Sequence, residues 1–190
     1  WENKKLAYLY AVATDKAFRG RGLCRSLMED THRHLKALRY AGTALVPGSK
    51  GLFDLYKKLG YTAFCPMQPV WVAAGSAPQA AKAIDATAFD ALRPRLLSAG
   101  SVLQAGDTTA YLAEYSQFYR TDTALMCLSR QDDTLYFQEY LGTPGDLPGI
   151  IAGLGAAKAW VRIPGGKPYA MFHSLTGEQR PPTYLGIPLD

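Results

Sequence analysis

The sequence predicts an α/β chain in which helices pack on a mixed sheet, and three features point that way. Apolar runs of strand length alternate with amphipathic stretches through residues 1–75. A glycine-containing turn opens the first amphipathic stretch. A second alternation of helix and strand patterns fills the remainder of the chain.

Leu6-Ala7-Tyr8-Leu9-Tyr10-Ala11-Val12-Ala13 is a β-rich apolar run, followed by the turn Thr14-Asp15-Lys16-Ala17-Phe18. From Gly22 onward Leu23, Leu27, Thr31, Leu35 and Leu38 recur at helical spacing. Arg25, Glu29, His32, Arg33 and Lys36 fall on the other side, so a helix is expected to about residue 39. Gly42 breaks it, residues 43–46 make a short buried strand, and Ser49 stands ready as an N-cap. A second helix carries Leu52, Phe53, Leu55, Tyr56 and Leu59 and ends at Gly60. Residues 61–65 and 70–73 read as two strands around a Pro66/Pro69 turn.

Small residues over 73–83 suggest a linker, which divides the chain into 1–75, a linker at 76–84 and 85–190. Beyond the linker, 86–98 and 108–119 read as helices, with Pro94 as a break. Residues 124–128 and 135–141 flank Arg130-Gln131-Asp132-Asp133 as a hairpin. Residues 147–154 form a short helix, 159–163 and 169–175 strands, and 184–189 a last strand. No short exact repeat links the two parts.

At 190 residues and 48% apolar the chain can bury one ordinary core or two small ones. No apolar run reaches the roughly 18 residues of a membrane span, and no secretory leader pattern opens the sequence. A cytoplasmic location is therefore expected, with no membrane partner. Cys24, Cys65 and Cys127 are odd in number and lack metal-type spacing, which points to reduced thiols and no metal. His32 and His34 sit two apart on a helix and so face different ways, and His173 reads as a structural strand residue. Residues 1–75 hold twelve Lys/Arg against five Asp/Glu, a balance of +7, while the rest of the chain sums to −2. The first part is thus the candidate for an anionic ligand, the alternative being a solvated basic face.

Arg19-Gly20-Arg21-Gly22-Leu23-Cys24 supplies what a pyrophosphate requires. Glycines let the backbone approach, first-turn amides lack intrahelical partners, and the helix dipole favours negative charge there. Arg19, Arg21 and Arg25 add charge. A P-loop is absent, and Arg25 stands where a dinucleotide fingerprint requires its third glycine. The remaining pattern, R-x-x-G-x-[G/A], resembles the coenzyme A motif of the GNAT (GCN5-related) N-acetyltransferase superfamily, with Cys24 in place of the last Gly/Ala. Leu55-Tyr56-Lys57-Lys58-Leu59-Gly60-Tyr61 resembles the later motif of that family, and Ser49 falls seven residues before Tyr56, where many members place an Asn.

The resemblance covers about 55 residues of this chain. It implies a GNAT-like acyl-CoA N-acyltransferase fold whose first unit lacks the strand, two helices and two strands that precede the phosphate strand in a complete domain. Residues 85–190 then read as a degenerate second GNAT-like unit, similar to two-unit enzymes of the enhanced-intracellular-survival type. It further implies acetyl-CoA as cosubstrate, main-chain contacts from Ala11, Val12 and Ala13 to the pantetheine arm, and cofactor contacts from Arg19, Gly20, Arg21, Gly22, Leu23, Cys24, Ser49 and Tyr56.

The reaction implied is direct attack of a primary amine, of a small molecule or a peptide, on the thioester. The amine must be neutral although its ordinary pKa is about 10.4. The departing thiolate gains from a proton donor, a role the resemblance gives to Tyr56, while Asp190 is a second catalytic candidate because survival-type enzymes place their chain terminus in the active site. Asp15 reads as a turn residue rather than a base. A different reading is a module that binds acyl-CoA or another protein without catalysis. Nucleic acid is not expected as a partner, since aromatic and basic residues are not interleaved. Self-association is left open.

Overall fold

The computed structural model describes residues 1–178 and 180–187. In chain order the elements are β1 (Leu6–Tyr8), α1 (Leu23–Ala37), β2 (Gly42–Leu45), α2 (Lys50–Lys58), β3 (Thr62–Ala73), β4 (Lys82–Ile84), α3 (Ala86–Leu92) and α4 (Asp107–Leu112). They continue with β5 (Gln117–Arg120), β6 (Leu125–Gln131), β7 (Thr134–Leu141), α5 (Leu147–Gly153), β8 (Lys158–Pro164) and β9 (Lys167–Ser174). Parallel pairing of β1 with β2 and of β7 with β8, among antiparallel neighbours, makes this the expected mixed α/β arrangement.

Compactness divides the chain into two units, and the division lies elsewhere than residues 76–84. One unit comprises 1–66, 100–102 and 167–190; the other comprises 67–99 and 103–166. The physical reason is strand pairing, because β9, late in the chain, bonds to β2. The stretch expected as a linker lies inside the second unit and contains β4, which pairs with β5.

In the first unit the strand order is β1, β2, β9 and then the opening of β3. Met28 of α1, Tyr56 of α2, Tyr61, Leu45 and Met171 of β9 form its buried core. At Gly42 of β2 the neighbouring β9 leaves no room for a side chain: a Cβ there would lie 2.5 Å from the Phe172 ring and 2.8 Å from the His173 carbonyl oxygen. The expected apolar stripe of α1 is displaced. Leu23, Leu27 and Leu38 are about half exposed, while Met28 is buried and His32 faces inward. His32 can turn in because Tyr61 and Thr43 give it hydrogen-bond partners: its Nε2 lies 2.8 Å from the Tyr61 hydroxyl, which lies 2.7 Å from Thr43 Oγ1. The His173 ring stacks on the His32 ring at 4.2 Å and bonds the Gly60 carbonyl through Nδ1 at 3.0 Å.

Two further expectations are corrected by the first half of the chain. The strand expected over 6–13 stops at Tyr8. The prolines at 66 and 69 do not form a turn; β3 runs through both, with the irregularity taken at Cys65, whose φ is +55°.

In the second unit the order is the remainder of β3, then β8, β7, β6, β5 and β4. Leu147, Ile150 and Ile151 of α5 pack on Met126, Leu128, Leu135, Phe137, Ala159 and Val161 from the central strands. Phe89 of α3 meets Phe118 of β5 at 4.7 Å. The hairpin expected around residues 130–133 is β6 and β7, turning at Asp132 with φ +51°. Residues 117–119, expected as the end of a helix, belong to strand β5, because Phe118 and Tyr119 pair with Cys127 and Met126. The helix expected over 86–98 ends at Leu92 and tightens into a 3₁₀ turn at Pro94. The strand expected over 184–189 is reduced to an isolated bridge from Leu185 to Val102, and its last two residues lie outside the described set. Arg93 and Glu139 are fully buried and joined by two hydrogen bonds, Nε to Oε2 at 2.7 Å and Nη2 to Oε1 at 2.8 Å. Cys24, Cys65 and Cys127 are free thiols.

Three outcomes follow for stability. Gly42→Ala should destabilise by about 1–3 kcal/mol, as overpacking against a backbone oxygen does, read from urea unfolding. Glu139→Gln should destabilise by about 3–5 kcal/mol by stranding a buried guanidinium, and the double change Arg93→Met, Glu139→Leu should recover most of that loss. Burial, aided by the neighbouring His173 and opposed by Glu29, lowers the His32 pKa from 6.5 to about 4. Between those values the unfolded chain binds more protons, so stability is complete above pH 6.5 and is lost as pH falls toward 4. Thermal melts across this window should show the loss, and His32→Gln should flatten it.

Candidate functional site

The polypeptide between β1 and α1 is shaped by residues that leave ordinary backbone space. After Tyr8 the chain makes one more strand bond, from the Leu9 amide to the Ala44 carbonyl at 2.9 Å. Ala11 then takes φ +54°, which turns the backbone away from β2. Among the described residues, the amides and carbonyls of 10–13 make no hydrogen bond. Leu9 and Val12 still pack on the core beneath, so this segment is anchored by side chains while its backbone edge stays open.

A short turn, Lys16–Phe18, follows, capped by Asp15, whose Oδ1 accepts from the Ala17 amide at 2.8 Å. Arg19 Nε donates to the Thr14 carbonyl at 3.0 Å and pins the approach to the glycines. Gly20 and Gly22 have φ of +76° and +77°, and Gly22 is the N-cap of α1 in left-handed conformation. No neighbour would meet a Cβ at either position, so the requirement for glycine comes from φ. The turn presents the first amides of a 15-residue helix with no acidic residue in its first turn.

A cavity of about 630 Å³ joins these parts. Val12, Ala13 and Thr14 line one side, the turn from Phe18 to Arg25 apart from Arg21 another, and Leu52, Leu55 and Tyr56 of α2 with Leu59 at its C-cap the third. The last four fall at positions i, i+3, i+4 and i+7 and therefore share a helix face. Tyr56 is 5% exposed, and its ring tilts against Tyr61 at 5.6 Å. No described residue hydrogen-bonds its hydroxyl. Burial, with a smaller contribution from Cys24, raises the Tyr56 pKa above its ordinary 10.0, so the phenol is neutral near pH 7 and available as a donor.

Of the residues expected to hold a cofactor, Val12, Ala13, Arg19, Gly20, Gly22, Leu23, Cys24 and Tyr56 line this cavity. Ala11 and Arg21 lie in the same segment without lining it, and Ser49 is the N-cap of α2 with no capping bond from its side chain. Asp190 lies outside the described residues. The sequence reading missed the pairing of His32 with His173, which are distant in the chain, and also Phe18, which the cavity exposes at its rim. Among the described residues no group of His, Cys, Asp and Glu could hold a metal ion, and no helix is long and apolar enough to cross a membrane.

Residues 1–72 match the family model described as FR47-like protein. A comparison with curated proteins gives no match. Among solved structures, the chain is similar to a GCN5-related N-acetyltransferase from Anabaena variabilis, at 14% identity and TM-score 0.67, with 90% of this chain and 55% of that one covered. A GCN5-related N-acetyltransferase from Kribbella flavida aligns at 16% identity and TM-score 0.63, covering 90% and 53%. Eis1 from Mycobacterium abscessus aligns at 10% identity and TM-score 0.57, covering 90% and 56%. The chain thus spans about half the length of these structures. The chain has the fold of the GCN5-related N-acetyltransferases, and the FR47-like match lies in its first 72 residues.

Proposed function

We propose that this chain carries the acetyl-CoA-binding part of an N-acetyltransferase acting on a primary amine. The observation that supports it is one cavity bringing together a phosphate-type turn, an open backbone edge and a neutral tyrosine hydroxyl. The first-turn amides of α1, with Arg19 and Arg25, hold the pyrophosphate. The amides and carbonyls of 11–13 pair with the pantetheine amides, which run along an extended edge as a strand would. The acetyl thioester then reaches the α2 side of the cavity.

There the amine attacks the thioester carbonyl directly, and Tyr56 donates to the departing thiolate. The hydroxyl suits this role because it stays protonated and has no competing partner among the described residues. A role for Asp190 rests on the resemblance alone. A degenerate second GNAT-like unit, expected at 85–190, likewise rests on the resemblance alone.

A second reading, a module that binds acyl-CoA without turnover, is favoured by one observation: among the described residues, no carboxylate or imidazole lines the cavity. Calorimetric titration with acetyl-CoA followed by an amine panel separates the two. Saturable binding with acetyl transfer supports the enzyme, binding alone supports the module, and no binding removes both. Tyr56→Phe should lower turnover about 10²-fold or more while changing coenzyme A affinity less than twofold. Equal turnover would remove the tyrosine from the mechanism.

A further inference from the structure

Phe18 is 49% exposed at the rim of the cavity. It is held there, because the Phe18 amide donates to the Asp15 carbonyl at 3.0 Å, Asp15 caps the turn and Arg19 ties the following residue to Thr14. The Arg21 guanidinium lies 5.2 Å from the centre of the Phe18 ring. One face of the ring therefore carries the cation while the half-exposed ring keeps surface for a ligand, next to the glycine turn and on backbone that is already fixed. Leu23 and Leu55, 47% and 37% exposed, line the same cavity, so its outer wall is apolar with guanidinium groups at the edge.

A flat heteroaromatic ring carrying a phosphate matches such a surface. Stacking on Phe18 covers an apolar ring face, and a phosphate on the same ligand can accept from Arg21 without displacing the stack. Chain geometry fits as well: with about 3.8 Å between successive Cα atoms, Phe18 stands at most about 7.6 Å from Gly20, the span of a ribose next to a pyrophosphate.

We propose that Phe18 and Arg21 form a subsite for the adenosine 3′-phosphate end of coenzyme A, which rests on the reading of the cavity as a coenzyme A site. The consequence is selectivity. A thioester that ends in the nucleotide gains two contacts that one ending at phosphopantetheine cannot make, so the chain prefers free acyl-CoA over acyl groups borne on a carrier protein's phosphopantetheine.

The test is calorimetric affinity for coenzyme A, dephospho-coenzyme A and 4′-phosphopantetheine, with wild-type protein, Phe18→Ala, Phe18→Trp and Arg21→Ala. Phe18→Ala should weaken both nucleotide ligands about tenfold or more and leave phosphopantetheine unchanged, and Phe18→Trp should keep the affinity. Arg21→Ala should weaken coenzyme A by a larger factor than dephospho-coenzyme A. Thermal melts confirm that the exposed substitutions leave the fold intact. Equal loss for all three ligands in Phe18→Ala, or no loss, overturns the stacking subsite while leaving the cavity as the coenzyme A site. Equal loss for coenzyme A and its dephospho form in Arg21→Ala overturns the 3′-phosphate contact. Wild-type protein that binds none of the three overturns the coenzyme A reading and the subsite with it.

Discussion

The first unit depends on β9. This strand, encoded near the end of the chain, bonds to β2 from Gly42↔Ser174 to Leu45↔Met171 and contributes to the core that both helices of the unit join. Met171 is fully buried against Met28 and Tyr56, and His173 stacks on His32. Burying a methionine of this kind is worth about 1.5–3 kcal/mol, comparable with a sizeable share of a small unit's total stability. The position of Tyr56, and with it one wall of the cavity, is therefore fixed by residues more than a hundred positions away in sequence. Glycine at 42 follows from the same pairing, since no side chain fits between β2 and Phe172.

That dependence explains which parts of the structure could be read from the sequence. The phosphate turn, the helix after it, the second helix ending at Gly60 and the hairpin of β6 and β7 are all specified by neighbours a few residues apart, and they form where expected. Whatever depends on pairing was not legible. The division into units at 66/67 instead of 76 follows from β9 returning to β2. Residues 117–119 are part of a helical pattern but become strand, because β6 offers them a ladder that no local signal announces. The inward turn of His32 was equally hidden: an imidazole reads as polar until Tyr61 and Thr43 are seen to satisfy it.

Prolines 66 and 69 teach a narrower lesson. As local signals they mark a turn. Proline removes a donor and fixes φ, yet neither restriction forbids extended backbone. β3 continues through both because the deviation is concentrated at Cys65, in left-handed conformation, and the following residues from Met67 to Ala73 remain in register with β8.

The cavity combines two ways of contacting a ligand, and they respond differently to sequence. On the proposed reading the glycine turn would contact a ligand through main-chain amides, so what matters is the left-handed conformation at Gly20 and Gly22 rather than any side chain at the next positions. A cysteine at 24, where the family pattern has Gly or Ala, is tolerable for that reason: its side chain joins the core beneath the turn while its amide keeps the helix position. The edge at 10–13 uses main-chain groups as well, but its geometry is obtained at Ala11, a residue for which positive φ costs about 1 kcal/mol or more. Leu9 and Val12, packed on either side of it, hold the kink in place. Tyr56 would offer, on the same reading, a single side-chain hydroxyl, and the burial that raises its pKa depends on the core that Met171 of β9 completes. The shape of the turn is thus set locally by its two glycines, whereas the placement of Tyr56 requires the completed sheet.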